Sequence, residues 1–333
     1  MISTVTRSFP ALQKISVFSR NSALQTLLHL PTSITRVFWE DPMVDSILES
    51  KDSEYDLTRL VVKLFRSSQT HNGDIKSLCE DIIIPMRLAL TTAAPSLFPT
   101  STQADSSASL EFLLENVVCS GITPDALSKV HTYIQSRTHG CIHCPEVSSS
   151  MLHKNISLQL PINRGETVAV AMDRYFGAET LTKENFYDCY NCQQRTCSKR
   201  HHELVGTLPE AFLINHTLKS LQHSIDLGPN STFFEFGHHY DLHSLVLHLG
   251  TDSAGHYLAL LRKWNSTHRS WEWWICNDEI VRPINKGDWK RARTHVAFMW
   301  FVQRNPSTLT TGTPPLRPSP SPLPGEILIS LSS

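Results

Sequence analysis

No cysteine occurs before Cys79 in this chain of 333 residues, and no acidic residue before Glu40. No stretch approaches the ~20 consecutive apolar residues that a membrane-spanning helix requires. The apolar run 82–90 is too short and contains Pro85 and Arg87, so no membrane is expected as a partner. Charge is sparse and balanced, at 18% charged residues and a formal net charge of −1. Such a chain has no bulk field with which to hold nucleic acid or an anionic surface, and nucleic acid is likewise not expected. Eight cysteines do not make the dense framework of a small secreted scaffold. Asn155-Ile-Ser and Asn265-Ser-Thr match glycosylation acceptors, but without a signal-peptide pattern they read as chance matches. The expected location is cytoplasmic and/or nuclear. A competing mitochondrial reading rests on the first 39 residues, where Arg7, Lys14, Arg20 and Arg36 stand among many Ser and Thr. Against it, residues 21–30 have the pattern of a first domain helix.

Among the cysteines that are present, Cys141–Cys144 and Cys189–Cys192 form two Cys-x-x-Cys pairs separated by 44 residues (145–188). Each pair sets two thiolates on one tight turn, and two such turns can close a tetrahedral sulfur shell around zinc. A shell of four sulfurs leaves no open position for water, so this zinc would be structural. Two redox pairs are the alternative reading, and His143, His153, His201 and His202 stand near enough in sequence to replace one ligand. Cys79, Cys119, Cys197 and Cys276 are scattered and read as buried or free thiols.

Hydrophobic periodicity divides the chain. Residues 21–135 read mainly as helix, with Leu24, Leu27 and Leu28, then Leu57, Leu60, Val61 and Leu64, then Phe112, Leu113 and Val117 at helical spacing. Residues 91–109 between them read as a Pro/Ser/Thr loop. Residues 140–304 read mainly as strand: Ile156, Leu158, Leu160 and Ile162 alternate with polar residues, and 242–249 and 257–261 flank a Gly-containing turn. Residues 305–333, rich in Pro, Ser and Thr, read as a disordered tail.

A helical region, two cysteine knuckles among strands, then Gly255-His256-Tyr257 and Asn277-Asp278, in that order, resemble the ubiquitin-specific proteases, deubiquitinating enzymes with a papain-like core. The stretch Tyr240–Gly250 resembles the strand leading into that family's histidine box, and Gly255–Arg262 the box itself. Trp273–Val281 is similar to the strand that follows, and Ala297–Phe301 to the closing strand. Tyr175–Glu179, Asn185–Cys189, Leu208-Pro209 and Leu218-Lys219 follow the family's finger pattern. Length alone suggests about two domains. The resemblance implies instead one α+β catalytic domain over 11–304, after an N-terminal segment 1–10. Its helical thumb would span about 11–135. A β palm and zinc-tipped β fingers would follow over about 136–304. The implied partner is ubiquitin or ubiquitinated proteins.

Isopeptide hydrolysis by acyl transfer needs a nucleophile, a base, a group fixing the base's tautomer, and oxyanion donors. His256 is the expected base, since imidazole titrates in the working range. Asn277 is the expected orienting group, with Asp278 beside it, and Gly255 is expected to let backbone approach a glycine-ended ubiquitin tail. The nucleophile departs from the family pattern. The helix that follows the family's Cys box is present as Asn21-Ser-Ala-Leu-Gln25, but the cysteine position falls on Phe18 in one register and Ser19 in the other. The oxyanion position falls on Gln13 or Lys14, and the box glycines are absent. Phenylalanine cannot attack a carbonyl, and a serine alcohol, with its far higher pKa, is a poor substitute in a site built for thiolate. The family's acidic helix start is eroded to 106–112, leaving Glu111 and Phe112 as an expected helix N-terminus. Three readings follow: a catalytically silent, ubiquitin-binding member, an active hydrolase with another nucleophile, or a zinc-braced interaction module that no longer engages ubiquitin.

Overall fold

A computed structural model describes residues 19–35, 42–69, 79–98, 105–119, 132–139, 141, 143–144, 147–181, 186–216, 224–235, 237–251, 254–265, 267–277 and 280–304. Phe18, Gln13, Lys14, Asp278 and the tail 305–333 lie outside the described residues. The N-terminal part is helical: α1 (Ser19–Leu28), α2 (Thr32–Thr35), α3 (Pro42–Glu49), α4 (Asp56–Gln69), α5 (Ile84–Ala93) and α6 (Ser106–Cys119). In α4, Leu57, Val61, Leu64 and Phe65 recur at helical spacing and are buried. Asp56 complements the positive end of that helix and pairs with Arg59 one turn on.

Three expectations are corrected here. The loop foreseen over 91–109 is shorter, because α5 continues to Ala93 and α6 starts at Ser106. The start of α6 is set by Asp105, whose carboxylate accepts the N–H groups of Ser107 (2.7 Å) and Ala108 (2.9 Å) as an N-cap. Glu111 and Phe112 therefore lie in the second turn rather than at the helix start. The helical zone also ends before 135, since β1 (Thr132–His139) opens the strand region.

The palm is an eight-stranded sheet of β3 (Ser157–Leu160), β8 (Ala211–His216), β9 (Thr232–Glu235), β10 (His238–Thr251), β11 (Ala254–Asn265), β12 (Ser270–Asn277), β13 (Ile280–Pro283) and β14 (Val296–Gln303). Its order is β13-β12-β11-β10-β14-β8-β3, with β9 paired to β10, and among the described strands of this sheet the β3–β8 pairing alone is parallel. The alternating run expected around 156–162 is β3, and the strands expected at 242–249 and 257–261 are the middles of β10 and β11. Successive side chains face opposite sides of a strand, and the core divides accordingly. Val246, Tyr257, Ala259, Leu261, Phe298 and Trp300 join the helices α1, α4 and α6. Leu245, Leu247, Leu258, Leu260 and Ile275 join α7 (Val168–Tyr175) and α8 (Lys286–His295) on the other side. Burial on both faces explains why these strands are almost continuously apolar.

The fingers hold a second sheet, ordered β2 (Val147–Asn155), β1, β7 (Ser198–Leu204), β4 (Glu179–Leu181), and a small hairpin of β5 (Tyr187–Asp188) and β6 (Arg195–Thr196). The α+β arrangement implied by the sequence is the one observed, and the described residues up to Gln303 form one compact unit. Among the described residues no helix is long and apolar enough to cross a membrane.

Candidate active site and metal centre

Helix α1 packs on β11, β10 and α6, and its C-terminal end is tied to the palm by two histidines. The His29 Nε2–H donates to the carbonyl oxygen of Arg262 at 2.7 Å, and the His243 Nε2–H donates to the carbonyl oxygen of His29 at 2.9 Å. Their rings stack with centroids 5.3 Å apart. A second tie comes from α6. The Glu111 carboxylate accepts from Ser157 Oγ on β3 and, at 2.5 Å, from Asn215 Nδ2 on β8. Burial pushes Glu111 above the usual carboxylate range, partly offset by these hydrogen bonds.

At the other end of β11 stands the expected base. His256 lies on β11 and Asn277 at the end of β12, and the His256 Nε2–H donates to Asn277 Oδ1. That bond fixes the tautomer, so the neutral ring carries its proton on Nε2 and its lone pair on Nδ1. The structure thus brings together two of the expected site residues. Ser19 is the first residue of α1. The neighbouring Tyr257 faces the start of α6, and burial, reinforced by the Asp105 carboxylate, pushes its phenol up to about 12. It is a neutral side chain of the core beneath the helices at physiological pH.

Gly255 has a nearer reason for its identity than the one expected from a substrate tail. A Cβ at this position would lie 2.3 Å from His248 Nε2 and 2.9 Å from the carbonyl oxygen of Leu249. The His248 ring stacks on Tyr257, with centroids 4.4 Å apart and planes 10° from parallel. The imidazole ring therefore fills the space that any side chain at 255 would need. Sequence reading passes over His248 because its contacts, with Tyr257 opposite it in the β10–β11 register and with Gly255, are made across strands.

In the fingers, the sulfurs of Cys141, Cys144, Cys189 and Cys192 all lie within 4.8 Å of one another. A tetrahedral site with Zn–S bonds of about 2.3 Å has sulfurs about 3.8 Å apart, so the cluster is compatible with that metal. His143, His153, His201 and His202 do not join this group. Each knuckle is locally closed. The Cys144 N–H donates to the Cys141 carbonyl at 3.0 Å, and the Cys189 N–H to that of Gln194 at 2.9 Å. Gln193 turns the second knuckle with φ of 55°. Without a cation the four thiols compete. The Cys192 backbone N–H pulls the Cys189 thiol down to about 7, while desolvation and neighbouring sulfurs push Cys144 up to about 12. Such crowding favours a bound cation, which would stabilise all four thiolates together.

Comparisons with known proteins agree with this arrangement. No curated protein matches the chain. Among solved structures, a SAGA DUB module of Ubp8, Sgf11, Sus1 and Sgf73 bound to monoubiquitin is similar, with a TM-score of 0.67 and 17% identity. The match covers 88% of this chain and 69% of that one. The same module bound to ubiquitin aldehyde gives a TM-score of 0.68 at 16% identity, over 92% and 72% of the two chains. At such identity these likenesses speak for the fold. A family model, "Ubiquitin carboxyl-terminal hydrolase", matches residues 20–302 and so spans the helical thumb, the cysteine knuckles and the His256–Asn277 pair together. The match opens immediately after Phe18 and Ser19. By that match the chain belongs to the ubiquitin carboxyl-terminal hydrolase family.

Proposed function

We propose that this chain binds ubiquitin or ubiquitinated proteins with the palm and fingers, and that its hydrolytic step is impaired because no thiol stands at the start of α1. The observation that carries the reading is an incomplete constellation. The base and its orienting group, His256 and Asn277, are paired, whereas the nucleophile position is occupied by Phe18 or Ser19.

The chemistry follows from that arrangement. In this family's reaction the His256 Nδ1 lone pair would take the proton of an attacking thiol, and Asn277 would hold the resulting imidazolium in place. Phe18 has no proton to give and no lone pair to attack with. Ser19 has both, but its alcohol is far from ionised at neutral pH, and the step would be slow. Asp278 stands beside the orienting group in sequence, and Gln13 is the remaining side-chain amide where an oxyanion donor belongs. Structural zinc on Cys141, Cys144, Cys189 and Cys192 would brace the fingers, as the mutual distances of the sulfurs favour.

Binding is supported on separate grounds. It depends on a large surface rather than on the reacting atoms, and the two similar modules named above are described as bound to monoubiquitin and to ubiquitin aldehyde. Calorimetric titration with monoubiquitin is expected to give a Kd on the order of micromolar, about −8 kcal/mol. A zinc-loaded, folded sample with no heat of binding at millimolar ubiquitin would replace this reading with that of an interaction module. Robust turnover of a fluorogenic ubiquitin substrate, lost in His256→Ala, would instead establish an active hydrolase.

A further inference from the structure

The finger sheet has two edges among the described strands, and they are built differently. At one edge β4 is three residues long, and its Glu179 pairs with Arg200 at 2.8 Å. A short, charged strand is a common way to keep an edge from recruiting another strand. At the other edge β2 runs for nine residues, Val147–Asn155, as the end strand of the order β2-β1-β7-β4. It pairs with β1 residue for residue from Ser149 to Asn155, and the register shifts only beyond that run, between Thr138 and His139. Gln135 Nε2 fastens the two strands further by donating to Ser150 Oγ at 2.5 Å.

The usual protections of an edge are missing from β2. Between Val147 and Asn155 there is no proline and no acidic residue, and the single lysine, Lys154, is next to the end. Ser150, Met151, Leu152, His153 and Lys154 are all exposed, Met151 and Leu152 at 60% each. Consecutive side chains point to opposite faces, so Met151 lies bare on one face of the edge and Leu152 on the other. A long, regular edge with apolar side chains on both faces is a template for a further strand.

We propose that this edge is a self-association surface, on which β2 of a second copy of the chain pairs antiparallel about a two-fold axis through Leu152. A strand edge offers N–H and C=O groups at alternate residues, and an extended backbone is the shape that meets them in series. The sequence of the edge argues for its own copy as occupant. Pairing centred on Leu152 uses the whole regular run from Ser149 to Asn155. It sets Leu152 against Leu152, Met151 against His153, Ser150 against Lys154 and Ser149 against Asn155. No like charges meet, because the two Lys154 residues are held about 14 Å apart along the strands at ~3.4 Å per residue. Such a two-fold contact closes on itself, so its product is a dimer and not a filament. The contact is small, and the dimer is correspondingly weak.

Sedimentation velocity of the full chain from about 1 to about 200 μM tests this, the range suited to a small interface. Wild type should shift from monomer toward dimer as concentration rises. Leu152→Lys and Leu152→Glu each set two like charges face to face across the axis, and each should weaken the dimer about tenfold or more. Mixed in equal amounts, the two variants should recover a dimer, because lysine then faces glutamate. Leu152→Cys should cross-link to itself in oxidised glutathione, since directly opposed positions lie about 5 Å apart. Lys154→Cys, too far from its own copy to bridge, should cross-link no more than wild type. Cross-linking introduces no charge, so it decides the matter should a charged variant fail to fold. A wild type that stays monomeric overturns the proposal and leaves the edge to a strand of another protein. It is equally overturned if the charged variants dimerise like wild type, if their folded mixture stays monomeric, or if Lys154→Cys cross-links as readily as Leu152→Cys.

Discussion

The imidazole of His248 lies flat on the ring of Tyr257, 4.4 Å away between centroids, and its Nε2 occupies the space where residue 255 would carry a Cβ. The glycine of the histidine box is thus part of the palm's own packing. The Leu249 carbonyl, 2.9 Å from the same Cβ position, is backbone and cannot swing aside as His248 can.

Gly255→Ala should accordingly destabilise the protein by about 1–3 kcal/mol, the usual range for overpacking. Adding His248→Ala should recover part of that loss, leaving the portion due to the Leu249 carbonyl. Urea denaturation of the two variants and of His248→Ala alone measures the coupling. An unchanged midpoint in Gly255→Ala would contradict the packing described.

The cysteine cluster yields a prediction about metal content. Elemental analysis of purified protein should find one zinc per chain. Cys192→Ser should lower the melting temperature by at least about 5 °C, because a metal that binds only the folded knuckles contributes directly to folding. Chelation should lower wild type toward the variant. Metal-free protein that melts at the same temperature as Cys192→Ser would reject a structural ion.

A pH dependence follows from Glu235, on β9 and only 4% exposed. Burial pushes its carboxyl up to about 7. The folded state therefore holds this proton above the ordinary carboxylate pKa, while the unfolded chain releases it near 4.5. Its contribution is fully present below about pH 4.5 and is lost as pH rises through about 7. At about 1.4 kcal/mol per unit, that loss is on the order of 3 kcal/mol. Glu235→Gln should remove this part of the slope, gaining stability at pH 8 and little at pH 4. Denaturation midpoints at the two pH values decide it, and a parallel loss of stability at both would count against the assignment.

How much of this was legible in the sequence depends on how local each feature is. The cysteine knuckles need only four-residue turns, and the His256 and Asn277 boxes are contiguous runs, so both are readable residue by residue. The strands around them show as apolar runs because both faces of the palm are buried. The start of α6 could have been found from Asp105, an N-cap residue ahead of a helical run, had Pro and Ser content weighed less. The clasp between His29 and His243 is another matter, since its partners are 214 residues apart and no spacing rule joins them. The Glu111 tie is of the same kind, as its partners Ser157 and Asn215 belong to strands that become neighbours only in the folded sheet.

The last prediction concerns the missing thiol. The wild-type chain should show no measurable cleavage of a fluorogenic ubiquitin substrate, because Phe18 and Ser19 supply no thiolate. Phe18→Cys and Ser19→Cys place one in each of the two registers the sequence allows, and one of them should gain slight activity. The gain should be small, since a misplacement of about 1 Å can cost about a hundredfold and the family's box glycines are absent. Whichever variant responds, adding His256→Ala should abolish the gain, because the imidazole is the only base offered to the new thiol in this scheme. Adding Asn277→Ala should reduce it, as the ring loses the acceptor that holds its proton on Nε2. Activity that survives His256→Ala would mean the new cysteine works outside this constellation. Silence in both cysteine variants, with ubiquitin binding intact, would place the defect in the oxyanion donors around Gln13 rather than in the nucleophile alone.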